Sequence, residues 1–146
     1  MNLPRYDLKA EKSLMVFEFV SDGPKGTISK IIKFDETALK NFYNLAFGDK
    51  NPETGFVDDE VVSNNGDREK ILATIVRSVI LFSEKEKDAW IYAIGSNESR
   101  TRLYQMSISK YLDEVELNFH IFGLQNGEWV KFEKGVNYSA FLVKRK

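Results

Sequence analysis

The chain of 146 residues has no cysteine, three prolines and one histidine. Without cysteine it cannot form disulfides, thiolate nucleophiles or cysteine-ligated metal sites, and this absence fits a reducing compartment. A single histidine excludes a multi-histidine metal site, although a lone general base remains open. That histidine, His120, alternates with apolar neighbours, so we expect it on an exposed strand face.

Charge of one sign is also scarce, since 21 basic and 22 acidic residues leave a net charge of -1. Nucleic-acid-binding modules usually carry a basic excess, so this balance argues against a nucleic-acid partner. The longest apolar stretch, residues 71–82, is interrupted by Thr74 and Arg77 and is too short to span a bilayer. Residues 1–10 contain no apolar signal-peptide core. We therefore expect a cytoplasmic protein that does not enter a membrane.

The periodicity of apolar residues predicts nine elements in the order β-β-β-α-β-α-β-β-β. Residues 35–47 are ambiguous: Asp35 could cap a short helix, but the alternation from Phe42 to Phe47 favours a strand. Strands at both ends and helices in the middle predict an α+β fold, a single domain over residues 1–146 with a largely antiparallel sheet and two helices packed on one face. The predicted strands are residues 14–20, 27–34, 42–47, 89–94, 116–123, 129–132 and 138–143, and the predicted helices are residues 67–84 and 97–113.

The turn from Gly95 to Arg102 is the first candidate site. A strand ends at the glycine and a helix begins, so free backbone N–H groups and the helix dipole favour an anion there. Ser96 and Asn97 lie at the helix start, and Arg100 and Arg102 add guanidinium groups suited to phosphate or carboxylate. The segment is neither a P-loop nor a Gly-x-Gly-x-x-Gly fingerprint. The alternative is a capped helix with solvated arginines.

A second candidate is a cation site built from Asp58, Asp59 and Asp67, because clustered carboxylates suit Mg²⁺ or Ca²⁺. The spacing does not match an EF-hand loop. The alternative is a loop in which Asn and Asp side chains form local turns and cap the first helix.

A topological argument joins the two candidates. If the first helix runs antiparallel to the next strand, its N-terminus lies where the second helix begins. Arg68 would then share an edge of the sheet with Asp67, Arg100 and Arg102, and two positive helix ends would bind an anion better than one. The alternative is a lattice of ion pairs between these arginines and the aspartates.

Four groups of residues are distinctive when taken together: 43–49 (YNLAFGD), 63–67 (SNNGD) with 70–74 (KILAT), 95–96 (GS) with 99–104 (SRTRLY), and 132–138 (FEKGVNY). With these stretches the chain resembles an uncharacterised family, a domain of unknown function in small single-domain bacterial proteins of similar length. The resemblance covers nearly the whole chain and implies one domain, but it implies no activity or catalytic residue.

Because no catalytic constellation is recognisable, the sequence favours a non-enzymatic interaction or regulatory module, acting as a homodimer or on another protein, with no cofactor. The alternative is a protein or transferase that binds phosphate, a nucleotide or a coenzyme A-like anion through the turn from Gly95 to Arg102. A strand–turn–helix holds the acyl-CoA pyrophosphate in acetyltransferases, although their glycine-rich pattern is incomplete here.

Overall fold

The computed structural model describes residues 5–58, 64–95 and 97–146. Two long helices and one short helix accompany the strands: α1 Arg68–Lys85, α2 Glu98–Lys110 and α3 Leu112–Val115. The described strands are β1 Lys9–Ala10, β2 Val16–Gly23, β3 Gly26–Glu36, β4 Phe42–Lys50, β5 Val57–Asp58, β6 Trp90–Ala93, β7 Phe119–Gln125, β8 Glu128–Lys131 and β9 Phe141–Arg145.

These strands form one open sheet with the order β1-β2-β3-β4-β6-β9-β7-β8, and β5 pairs with β4 beside that path. Every pairing in this described sheet is antiparallel except that of β4 with β6. The parallel pair arises because α1 carries the chain from the end of one strand back to the start of the next. The predicted α+β class is therefore confirmed.

The core lies on the sheet face that α1 and α2 cover. Alternate residues of β3, among them Ile32 and Phe34, are fully buried there. Phe82 of α1 stacks on Phe34 with ring centroids 4.2 Å apart, so the apolar stripe of the helix packs directly on the strands. The described helices include none that is long and apolar enough to cross a bilayer.

The structure resolves the ambiguous segment and corrects two strands. The last strand, β9, begins at Phe141 instead of residue 138, because the turn at Gly135 continues into an irregular segment. Phe42–Lys50 is a strand, not a short helix. β7 begins at Phe119 instead of residue 116, because the chain first completes α3 and a turn. Leu117, expected beside Phe119 on the core face, is 73% exposed in that turn. The sequence did not predict β1, β5 or α3, which are two to four residues long and carry too little periodicity to detect.

Candidate functional site

A cleft of about 250 Å³ lies where α1 and α2 begin, above the carboxyl end of β4. The structure therefore brings both helix N-termini to one place, as the topological argument expects. The ionisable side chains that line this cleft are Lys30, Asp49, Asp67, Arg68, Arg100 and Arg102. Four of them are cationic and two are carboxylates, so the lining has an excess of two positive charges. That excess and the two helix dipoles favour an anionic ligand.

Asp67 occupies the N-cap position of α1 but does not cap the helix with its side chain. Its Oδ2 atom accepts hydrogen bonds from the hydroxyls of Tyr6 and Ser21. Its Oδ1 atom is buried and has no hydrogen-bond partner among the residues that the structure describes. Because the carboxylate turns toward β2, it leaves the first-turn N–H groups of α1 without that side-chain acceptor.

The segment that precedes α1 is held by Asn65, which is only 2% exposed. Its Nδ2 atom donates to the carbonyl of Gly26 at 2.9 Å and to Ser21 Oγ at 3.2 Å, and its Oδ1 atom accepts from the backbone of Lys25 at 2.8 Å. Gly23 permits this approach, since a Cβ atom there would lie 1.9 Å from the carbonyl oxygen of Asn65. The β2–β3 hairpin thus fixes where α1 starts.

Asn97 caps α2, its Oδ1 atom accepting from the backbone N–H of Arg100 at 2.9 Å. The Arg100 side chain is not solvated: the residue is 6% exposed, and Nη2 donates to the carbonyl of Asp58 at 2.7 Å. Its guanidinium lies against Gly48, where a Cβ atom would be 2.7 Å from Nη2. Arg100 therefore belongs to the floor of the cleft and anchors the β5 strand.

Arg68 and Arg102 have a different role, because both side chains are exposed. They line the same cleft from α1 and α2 respectively. The cleft thus has buried cations at its floor and exposed guanidinium groups at its rim. Ser96 and Asp59, which the sequence adds to the anion and cation sites, lie outside the described residues.

Sequence reasoning missed the ion pair at the floor, between Lys30 of β3 and Asp49 of β4. The two residues are cross-strand partners, and Lys30 is 3% exposed. A signal was present in the alternation, because Lys30 occupies the same face as Ile32 and Phe34. A charged residue at a core position of a strand is costly unless it is paired, so it marks a site worth examining.

The cation site stays a prediction. Asp58 contacts Arg100 through its carbonyl, and Asp67 is engaged by Tyr6 and Ser21. Within residues 5–58, 64–95 and 97–146, no group of three or more Asp, Glu, His or Cys side chains could hold a metal ion.

A groove of about 400 Å³ adjoins the cleft where β4 and β6 part. Their parallel pairing ends at Leu45 and Ala93, and β4 then continues to Lys50. The groove is lined by Phe47, which also lines the cleft, and by Tyr104 of α2, which is 3% exposed. No sequence motif singles out Tyr104 as a site residue.

Comparison with known proteins gives a family but no function. No curated protein and no solved structure matches the chain. A family model described as "Family of unknown function (DUF6934)" matches residues 2–146. The match spans both strand-rich ends and the two helices that form the cleft, so the chain belongs to this family of unknown function.

Proposed function

We propose that the protein binds a phosphate-bearing molecule of the coenzyme A type in the cleft and transfers its acyl group in the adjoining groove. The observation that carries the proposal is the excess of two positive charges where two helices begin. A lone helix start binds anions weakly, but here buried and exposed cations from two helices and one strand surround the same space.

The two tiers of cations suit a diphosphate. Arg100 is buried and held by the carbonyl of Asp58, so it supplies a fixed positive charge, whereas the charge of the buried Lys30 is balanced by Asp49. Arg68 and Arg102 are exposed at the rim and can each form bidentate hydrogen bonds to phosphate oxygens. The N–H groups of the first turn of α1 can add direct hydrogen bonds.

The groove extends the site toward a reacting group. Ligands of open sheets bind beyond the carboxyl ends of parallel strands, and β4 and β6 are the parallel pair of the described sheet. Coenzyme A carries its phosphates at one end and its thioester at the other, so it matches a charged cleft and a less charged groove that share Phe47 in their linings. A nucleotide offers phosphates to the cleft but has no thioester to place in the groove.

Tyr104 is the residue we assign to proton transfer. In acyl transfer an acceptor nucleophile attacks the thioester carbonyl, a bond from carbon to the acceptor forms, and the carbon–sulfur bond breaks. Tyr104 lines the groove, and we assign it to donate the proton that the leaving thiolate needs. The acceptor amine loses a proton as the carbon–nitrogen bond forms, and that proton restores the Tyr104 hydroxyl. The cytoplasmic location inferred from the sequence stays a prediction and is consistent with a coenzyme A ligand.

Thermal unfolding with added ligand tests the binding step. Coenzyme A or acetyl-CoA at one hundred times its dissociation constant should stabilise the fold by about 2.7 kcal/mol. The Arg68→Ala/Arg102→Ala double variant should lose this shift, whereas Arg77→Ala, which removes an arginine of α1 outside the cleft, should keep it. No stabilisation by coenzyme A, nucleotides or phosphate would contradict the anion site.

The transfer step needs a separate measurement. Release of free thiol from acetyl-CoA in the presence of a panel of amines should be slower in Tyr104→Phe, while ligand-induced stabilisation should be unchanged. Stabilisation by ADP but not by coenzyme A would retain the anion site and contradict acyl transfer.

A further inference from the structure

Five aromatic side chains lie on the sheet face opposite the helices. Strand alternation places Phe42, Trp90 and Tyr92 on this face, away from the buried Leu45 and Ile91. Phe122 of β7 and Trp129 of β8 follow on the same side, because their neighbours Ile121 and Val130 point to the core. We call these five rings the aromatic face. None of them is fully buried, and Trp129 is 40% exposed.

The rings of the aromatic face brace one another. Phe42 stacks on Trp90 with centroids 5.8 Å apart, and Trp90 contacts Phe122 at 6.3 Å. Tyr92 meets Trp129 edge to face at 5.8 Å. Because these contacts hold the rings across four strands, a partner that stacks on them loses little side-chain entropy on binding.

On β6, β7, β8 and β9 the charged groups of this face are cationic, whereas β3 places Asp35 beside Lys33 on the same side of the sheet. Lys144 lies over the Trp90 ring at 5.8 Å, and Lys131 is the cross-strand partner of Phe122. His120 is exposed beside Lys144. In β6, β7, β8 and β9, all within the described chain, the outward positions hold no Asp or Glu. The aromatic face therefore presents rings and positive charge together.

We propose that the aromatic face binds single-stranded nucleic acid, whose bases stack on the rings and whose phosphates contact Lys131 and Lys144. Stacking on aromatic platforms beside positive charge is how sheet surfaces hold single strands without reading sequence. A second copy docked symmetrically would bring the same lysines toward each other, so charge complementarity favours an anionic partner. The whole-chain charge of -1, which argued against nucleic acid, does not describe this surface.

The test uses a fluorescently labelled single-stranded oligonucleotide of about ten nucleotides, a length that one single-strand-binding domain can cover. Both tryptophans of the chain belong to the aromatic face, so intrinsic fluorescence should be quenched as the strand binds. Trp129→Ala, at an exposed position of an edge strand, should weaken binding about ten-fold. In a plot of the logarithm of the binding constant against the logarithm of the salt concentration, Lys144→Ala should reduce the steepness of the slope by about 0.7. This is the value for one phosphate contact with a single strand.

Lys87→Ala, which removes an exposed lysine from the turn before β6, is the matched control and should change neither quantity. An affinity that does not fall with added salt, or one that Trp129→Ala and Lys144→Ala leave unaltered, would overturn the proposal. So would a dimer in light scattering that Trp129→Ala dissociates, because the face would then be covered by a second copy. Loss of acyl transfer in Tyr104→Phe would affect neither result, so this test is independent of the cleft.

Discussion

Asn65→Ala should destabilise the protein far more than a change in a short loop normally does. The side chain is 2% exposed and makes three hydrogen bonds that join the start of α1 to the β2–β3 hairpin. Each such bond contributes about 1 kcal/mol net, so we expect a loss of about 3 kcal/mol in the free energy of unfolding. For a chain of this size that corresponds to a fall of roughly 6–12 °C in the melting temperature.

Urea denaturation followed by circular dichroism would measure this loss, with the midpoint and slope compared to those of the wild type. Asn64→Ala is the matched control. The Asn64 side chain is next to Asn65 in sequence, but it is exposed and accepts only one local hydrogen bond, from the N–H of Gly66 at 3.1 Å. The control should cost under about 1 kcal/mol. Equal losses in the two variants, or a loss below about 0.5 kcal/mol in Asn65→Ala, would refute the claim that Asn65 positions the cleft.

Three further changes test other parts of the fold. Gly48→Ala should displace the Arg100 guanidinium, costing about 1–3 kcal/mol in urea denaturation and weakening any anion bound in the cleft. Burial, and after it the hydrogen bond to Asp67, raises the pKa of Tyr6 above its ordinary value of 10.0. The protein should therefore lose stability as the pH rises above 10 and through the pKa of Tyr6 in the folded state. Tyr6→Phe should make this loss of stability smaller. Phe82→Ala removes a fully buried ring and should cost about 3–5 kcal/mol, measured by the same denaturation.

The sequence predicted the order of the main elements because periodicity and turn residues record local structure. The stripe on α1 and the alternation of β3 both follow from which faces are buried. The strand β7 was set three residues too early because Leu117 continues the alternation by chance. Its exposure depends on α3, and four residues are too few to show a helical period.

The site was harder to predict because its members come from distant parts of the chain. The connectivity of the elements predicted that the two helix starts meet. It therefore also predicted that Arg68, Arg100 and Arg102 lie together. The burial of Arg100 depends on Gly48, more than fifty residues earlier, and no local pattern links the two. Asp67 could not be assigned from sequence either, since its partners Tyr6 and Ser21 reach it through tertiary packing.

The net charge of -1 shows how a whole-chain sum can mislead about surfaces. One group of acidic residues lies outside the cleft, in α3 and the turn after it, where Asp113, Glu114 and Glu116 are all exposed. Basic residues instead line the cleft between the helices, and lysines accompany the rings on the opposite sheet face. An anionic partner approaching either surface meets the local field, because charges more than about a Debye length of 10 Å away are largely screened. Topology, which decides where each charge lies, therefore determines what this near-neutral protein can bind.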